Sequence, residues 1–178
     1  MNPPPVPLSQ LIQALGEADQ RARDATELDW PLALERAQLR VQLSAYSRHK
    51  AEQQHLLGEA VALLEFTLME LSERAAHEQV AVALAEAYLN LFRVAQHVPY
   101  LTVARQIIRP LSTSQGPPLL LMLARIEAMA GQPALTRHWL NRYARLPEAQ
   151  LDALDAAVEL EAMYSQTWWP ALRQQLMQ

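Results

Sequence analysis

The sequence predicts an all-helical fold built from antiparallel helix pairs. Three observations carry that expectation. Apolar residues recur three and four positions apart, and no stretch alternates apolar and polar residues convincingly as a strand would. Leu and Ala outnumber the β-branched residues, and only 4 of the 178 residues are glycine, which favours helix over sheet. Several of the 12 prolines fall where a helix would start or stop.

About nine helices follow in order. After a Pro-rich lead, residues 1–7, the first runs from Leu8 to about Asp24, with Leu8, Leu11, Ile12 and Leu15 on one face. Thr26 to Asp29 breaks it. Pro31 suits the first helical positions after Asp29 and Trp30. The helix from there to about His49 carries two apolar stripes, Leu32, Leu39, Leu43, Tyr46 and Leu34, Ala37, Val41, Ala45, as a helix packed on both sides would. A turn at Ser47–Lys50 leads to a third helix, Ala51 to Arg74, and a fourth spans Glu78 to Gln96. Pro99 opens a short fifth, which Pro110 should end or kink. Residues 112–118, Ser-Thr-Ser-Gln-Gly-Pro-Pro, form the clearest loop and the expected hinge in an otherwise single domain over 8–178. The sixth helix runs from Pro118 to Ala130. Gly131 and Pro133 then make a tight connection to the seventh, which carries Leu135, Trp139, Leu140 and Tyr143. Pro147 opens the eighth, with Leu151, Leu154, Val158 and Ala162. Trp168 and Trp169 lead into a short ninth.

Composition excludes several classes of protein. Half the residues are apolar, too many for a disordered chain. The absence of Cys excludes disulfides and thiolate chemistry. The lead lacks the basic and apolar regions of a signal peptide, and no apolar run is longer than Leu119–Ala124, so a cytoplasmic protein without membrane insertion is expected. The net charge of −4 argues against nucleic acid as the main partner. Its distribution is uneven: residues 1–75 carry −4, 76–146 carry +4 and 147–178 carry −4. Either neighbouring helices complement one another or an acidic partner docks on the middle.

Repeats sharpen the architecture. The fourth–fifth and sixth–seventh helix pairs superpose at an offset of 32 residues. Arg93 falls on Arg125, Pro99 on Gly131, Ala104 on Thr136, Ile107 on Trp139 and Ile108 on Leu140. On these residues the chain resembles the tetratricopeptide-like (TPR-like) helical repeat superfamily. Leu123-Ala124 is similar to the large–small pair of that repeat's first helix, Gly131 to its turn glycine, Leu140 to a large residue of the second helix and Pro147 to the closing proline. Glu127 stands where an aromatic is usual and Thr136 where a small alanine is. The closing proline comes one residue early, and the unit is 32 residues where 34 is standard. The likeness covers residues 78–147 and extends weakly to 31–75.

The resemblance implies a right-handed stack of helix hairpins that binds peptides or proteins on a concave face made by the first helices. Related arrays occur in bacterial regulators and secretion chaperones. By position, the concave face would hold Leu121, Arg125, Ala128 and Met129 in the sixth helix and Leu89, Arg93, Gln96 and His97 in the fourth. Arg93 and Arg125 would clamp a partner's carboxylate. Alternatively, their stems cover apolar surface or their guanidiniums pair with Glu86 and Glu127.

Chemistry is sparse. The five histidines are scattered; His55 and Glu59 have helical metal-ligand spacing but lack a third ligand nearby. There is no phosphate loop and no serine in a nucleophile setting. Glu148, Asp152, Asp155 and Glu159, spaced 4, 3 and 4, would share one helix face. They read as a solvated stripe, a docking surface or, least of all, acid–base chemistry. Trp139, Tyr143, Tyr164, Trp168 and Trp169 read as a terminal core, or as a partner hot spot where Trp168 and Trp169 are exposed. The expectation is a non-enzymatic scaffold without cofactor or metal that binds a protein or peptide, as a chaperone or assembly factor does. The alternative is a regulatory module that binds a small ligand or forms a homodimer through exposed apolar surface.

Overall fold

The computed structural model describes residues 6–114 and 116–177, so most of the expected N-terminal lead lies outside them. All regular structure among the described residues is helical. The chain forms two compact units, Met1–His97 and Val98–Gln178.

The first unit holds α1 (Leu8–Asp24), α2 (Trp30–Tyr46), α3 (Lys50–Glu70) and α4 (Arg74–Ala95). Each helix packs on the next, and α2 also touches α4. The Asp29 side chain accepts the Leu32 amide at 3.0 Å and caps α2, whose first turn takes Pro31 as expected. Ala33 and Ala37 are buried on α2, which lets its neighbours approach closely. The break between α3 and α4 falls at residues 71–73, earlier than expected. The extra turn of α4 buries Ala76 and adds an Arg74–Glu78 ion pair of 3.2 Å.

Asp19 ties three helices together. Its carboxylate accepts from Arg36 Nε at 2.7 Å and from Arg40 Nη2 at 2.9 Å, and Arg40 Nε reaches Glu59 at 3.1 Å. Arg40 is buried and also donates to the Arg36 carbonyl. Burial pushes the Asp19 carboxyl up, but the hydrogen bonds and charges of Arg40 and Arg36 together outweigh it and hold it below the usual carboxylate range. A depressed carboxyl stabilises the fold above its unfolded pKa of about 3.9, and that contribution is lost as pH falls through the lower folded value. Asp19→Asn should therefore cost about 1.5–3 kcal/mol near neutral pH. The gap from wild type in urea melts should close at acid pH; a gap indifferent to pH would contradict the charged role.

The second unit is arranged around α6. It holds α5 (Pro99–Ile108), a 3-10 segment (Arg109–Ser114), α6 (Pro117–Met129), α7 (Pro133–Tyr143), α8 (Leu151–Asp155), a second 3-10 segment (Val158–Met163) and α9 (Trp169–Leu176). Eight of the 13 residues of α6 are buried, because α5, α7 and both 3-10 segments pack around it. After α6, Gly131 takes the left-handed conformation (φ 67°). The Gln132 amide then reaches the Glu127 carbonyl and the Gly131 amide the Ala128 carbonyl, a Schellman closure.

Three expectations are corrected. The chain divides after His97, where Gln96 is left-handed (φ 57°), and residues 112–118 lie inside the second unit. There Ser112 is buried, its hydroxyl donates to the Arg109 carbonyl and its own carbonyl accepts from Arg142 Nη2. The eighth helix does not start at Pro147. The Tyr143 hydroxyl accepts the Gln150 amide at 2.8 Å and donates to the Gln150 carbonyl at 2.9 Å, which fixes an irregular turn. The short α8 and the 3-10 segment stand where the eighth helix was expected. Finally, the 32-residue offset holds at some buried positions and fails at the turns. Ala87 and Leu119, Tyr88 and Leu120, Leu91 and Leu123, Ala104 and Thr136, and Ile108 and Leu140 are all buried. Pro99 opens α5, however, while Gly131 closes α6.

Candidate functional site

The first unit presents its clearest concavity along the seam between α2 and α4. The two helices touch only lightly, and α3 lies behind them with Leu57 and Leu64 buried as the floor. One open cleft of about 440 Å³ is lined by Gln38, Val41 and Gln42 of α2 and by Gln79, Val82 and Glu86 of α4. A second, about 540 Å³, opens farther along the same helices, between Ser44, Ala45 and Arg48 on one side and Asn90, Arg93 and Val94 on the other, with Lys50 and Gln53 from the start of α3. The near end is thus uncharged apart from Glu86, with four side-chain amide or carboxyl groups among small apolar residues. The far end gathers Arg48, Lys50 and Arg93.

This seam absorbs part of the sequence-derived site. Gln79, Val82, Glu86, Leu89 and Arg93 follow one another at three- and four-residue steps on α4, a single stripe. Leu89 is fully buried, so its side chain packs inside the unit and offers a partner nothing. Arg93 lines the cationic end, and its carbonyl accepts from Gln96 Nε2 at 3.0 Å. Gln96 and His97 are exposed at the end of α4. Sequence reasoning missed Arg48 and Lys50, although Lys50 is the only lysine in the chain.

Arg125 is not the counterpart of Arg93 in character. Its Nε and Nη2 donate to the two carboxylate oxygens of Glu159, both at 3.0 Å. The Glu159 side chain is 2% exposed. The arginine acts as an internal tie from α6 to the second 3-10 segment, where the sequence left a clamp or a Glu127 pair as alternatives. Glu127, 4% exposed, instead takes Arg105 of α5 in a bidentate pair at 2.7 and 2.8 Å. That hydrogen bond raises the Arg105 guanidinium above its ordinary value, outweighing burial, and the Glu127 charge adds to it. Leu121 packs against the terminal core, Ala128 is buried in it, and Met129 is half-buried.

The acidic set is likewise redistributed. Glu148 precedes α8, Asp155 pairs with Arg173 at 2.6 Å, and Glu159 is buried, so the four carboxylates share no helix face. Trp169 is 4% exposed within the terminal core, and Trp168 is half-buried against the same cluster. Leu140, Leu154, Leu160 and Leu172 complete it. His55 Nε2 lies 3.6 Å from Glu59, both exposed. Among the described residues no three His, Asp or Glu side chains converge as metal ligands would, and no helix is long and apolar enough to cross a membrane.

No protein-family model, curated protein or solved structure matches the chain.

Proposed function

We propose that the chain is a non-enzymatic helical scaffold that binds an extended segment of a protein partner, as a chaperone or assembly factor would. The observation that carries this reading is the α2–α4 seam with its cationic end. An extended peptide exposes backbone amides and carbonyls, and the side chains of Gln38, Gln42 and Gln79 offer both donors and acceptors to them. Val41 and Val82 add apolar contact. From Gln38 to Tyr46 α2 rises about 12 Å, the length of three or four extended residues. An acidic side chain or terminal carboxylate would meet Arg48 and Lys50. The rival reading, a module that dimerises through apolar surface, is favoured by Leu28 and Phe66, both exposed beside a small cleft at the start of α2.

Affinity purification with mass spectrometry from the native host tests the seam. Val82→Arg, and separately Arg48→Glu with Lys50→Glu, should each reduce recovery of the wild-type partners about tenfold. All three substitutions lie at the clefts, and circular dichroism checks that the helices persist. Unchanged recovery with folded variants would reject the reading. Arg125→Ala is unsuitable here, because it removes the tie to Glu159.

A further inference from the structure

The second unit carries a different concavity, independent of the α2–α4 seam. A cleft of about 400 Å³ lies between α5 and α7 with α6 beneath. Arg105 and Arg109 stand on one wall, Leu135 and Trp139 on the other, and Leu123 and Glu127 form part of the floor. We infer that this cleft docks an acidic peptide segment that carries an apolar anchor residue.

Charge decides the sign of the partner. Residues 98–146 contain six arginines and one acidic residue, Glu127. Glu127 is consumed by its bidentate pair with Arg105, so it cannot neutralise the rest of the wall. Arg109 is exposed and has no ion-pair partner among the described residues. Four residues separate Arg105 from Arg109, which places them one helical turn apart on the same wall. Arg142 lies over the Trp139 ring, 5.0 Å from its centroid, and adds a second positive charge beside that of Arg109.

The apolar half decides the rest. Leu135 is 46% exposed although it borders the cleft, and Trp139 is only half-buried beside it. A leucine and an indole side by side give an anchor residue the large contact that partner hot spots use. The Trp139 Nε1 is also buried without an acceptor among the described residues, a group that a small shift of the ring would offer to a carbonyl or carboxylate. A bare inorganic anion would leave the Leu135–Trp139 wall unused. A neutral apolar peptide would leave Arg109 uncompensated. An acidic segment with one large apolar side chain satisfies both walls.

Selection of a random linear peptide library on the full chain tests this. Selection on wild type and on the double variant Arg109→Glu, Leu135→Glu is compared; both positions are exposed, so the fold is expected to tolerate them, and thermal melts verify it. Peptides enriched on wild type should be net acidic with a recurrent Leu, Phe or Trp, and the double variant should retain them about tenfold less. Arg48→Glu with Lys50→Glu, at the other seam, should leave their retention unchanged, so failure of one site is distinguishable from failure of the other. The inference is overturned if no peptide is enriched, if the enriched set is neutral or basic, if it lacks an apolar anchor, or if a folded double variant retains it as well as wild type.

Discussion

Arg125→Ala is expected to destabilise the Val98–Gln178 unit by about 3–5 kcal/mol, the range found when one partner of a buried ion pair is removed. Two hydrogen bonds of 3.0 Å are lost, but the larger cost is the Glu159 carboxylate left behind at 2% side-chain exposure. A domain's whole stability is about 5–15 kcal/mol, so the variant should sit near the edge of folding. Trp139, Trp168 and Trp169 all lie in this unit and make intrinsic fluorescence in urea the natural readout. The apolar double variant Arg125→Met, Glu159→Leu should recover much of the loss, because it removes both desolvation costs together. A single variant that melted within about 1 kcal/mol of wild type would show the pair to be solvated and the tie to be weak.

Arg105→Ala should have an effect of the same order, about 3 kcal/mol or more, by stranding Glu127 at 4% exposure between α5 and α7. The two pairs differ in one respect. Arg105 is 29% exposed and borders a cleft, whereas Arg125 is 16% exposed. Water can therefore reach the vacated Arg105 position more readily, and the loss should fall toward the lower end of the range. Glu127→Gln keeps a hydrogen-bond acceptor for the guanidinium and should cost less than Arg105→Ala. Thermal unfolding followed by circular dichroism ranks the three proteins, and a reversed order would mean that the arginine, not the carboxylate, carries the burial cost.

These pairs mark where the sequence stopped being legible. Helix starts were readable because their signals are local: Asp29 before Trp30-Pro31, Pro99, and Pro133 after Gly131. Part of the buried register was readable too: Leu11, Leu43, Leu140 and Leu154 are buried as their spacing implied, whereas Ile12 and Leu135 are exposed. Glu127 could be seen as a departure from the usual aromatic position, but not as the partner of Arg105. Its partner lies 22 residues away, and that of Arg125 lies 34 away. No periodicity connects such positions. The acidic stripe at Glu148–Glu159 was misread for a related reason. Its spacing implies one face only if the backbone is a continuous helix, and the helix is interrupted by contacts that the spacing cannot register. Arg48 and Lys50 were overlooked because they sit at a turn, where helical spacing assigns no face. The α2–α4 seam emerges only when α3 is placed behind it.

Tyr143 illustrates what such an interruption does. Its side chain is 2% exposed and looks, in sequence, like ordinary core filling. Its hydroxyl nevertheless holds both backbone groups of Gln150, and the exposed Arg145 lies within the turn so closed. The peptide bond after an exposed arginine is an open invitation to a trypsin-like protease, but cleavage requires a segment that can unfurl into the enzyme. The phenolic oxygen, with the backbone hydrogen bonds donated by Arg145, Leu146 and Ala149, keeps this one folded back. Removing that hydroxyl alone should make the chain easier to nick there, although the atom contributes nothing to any helix.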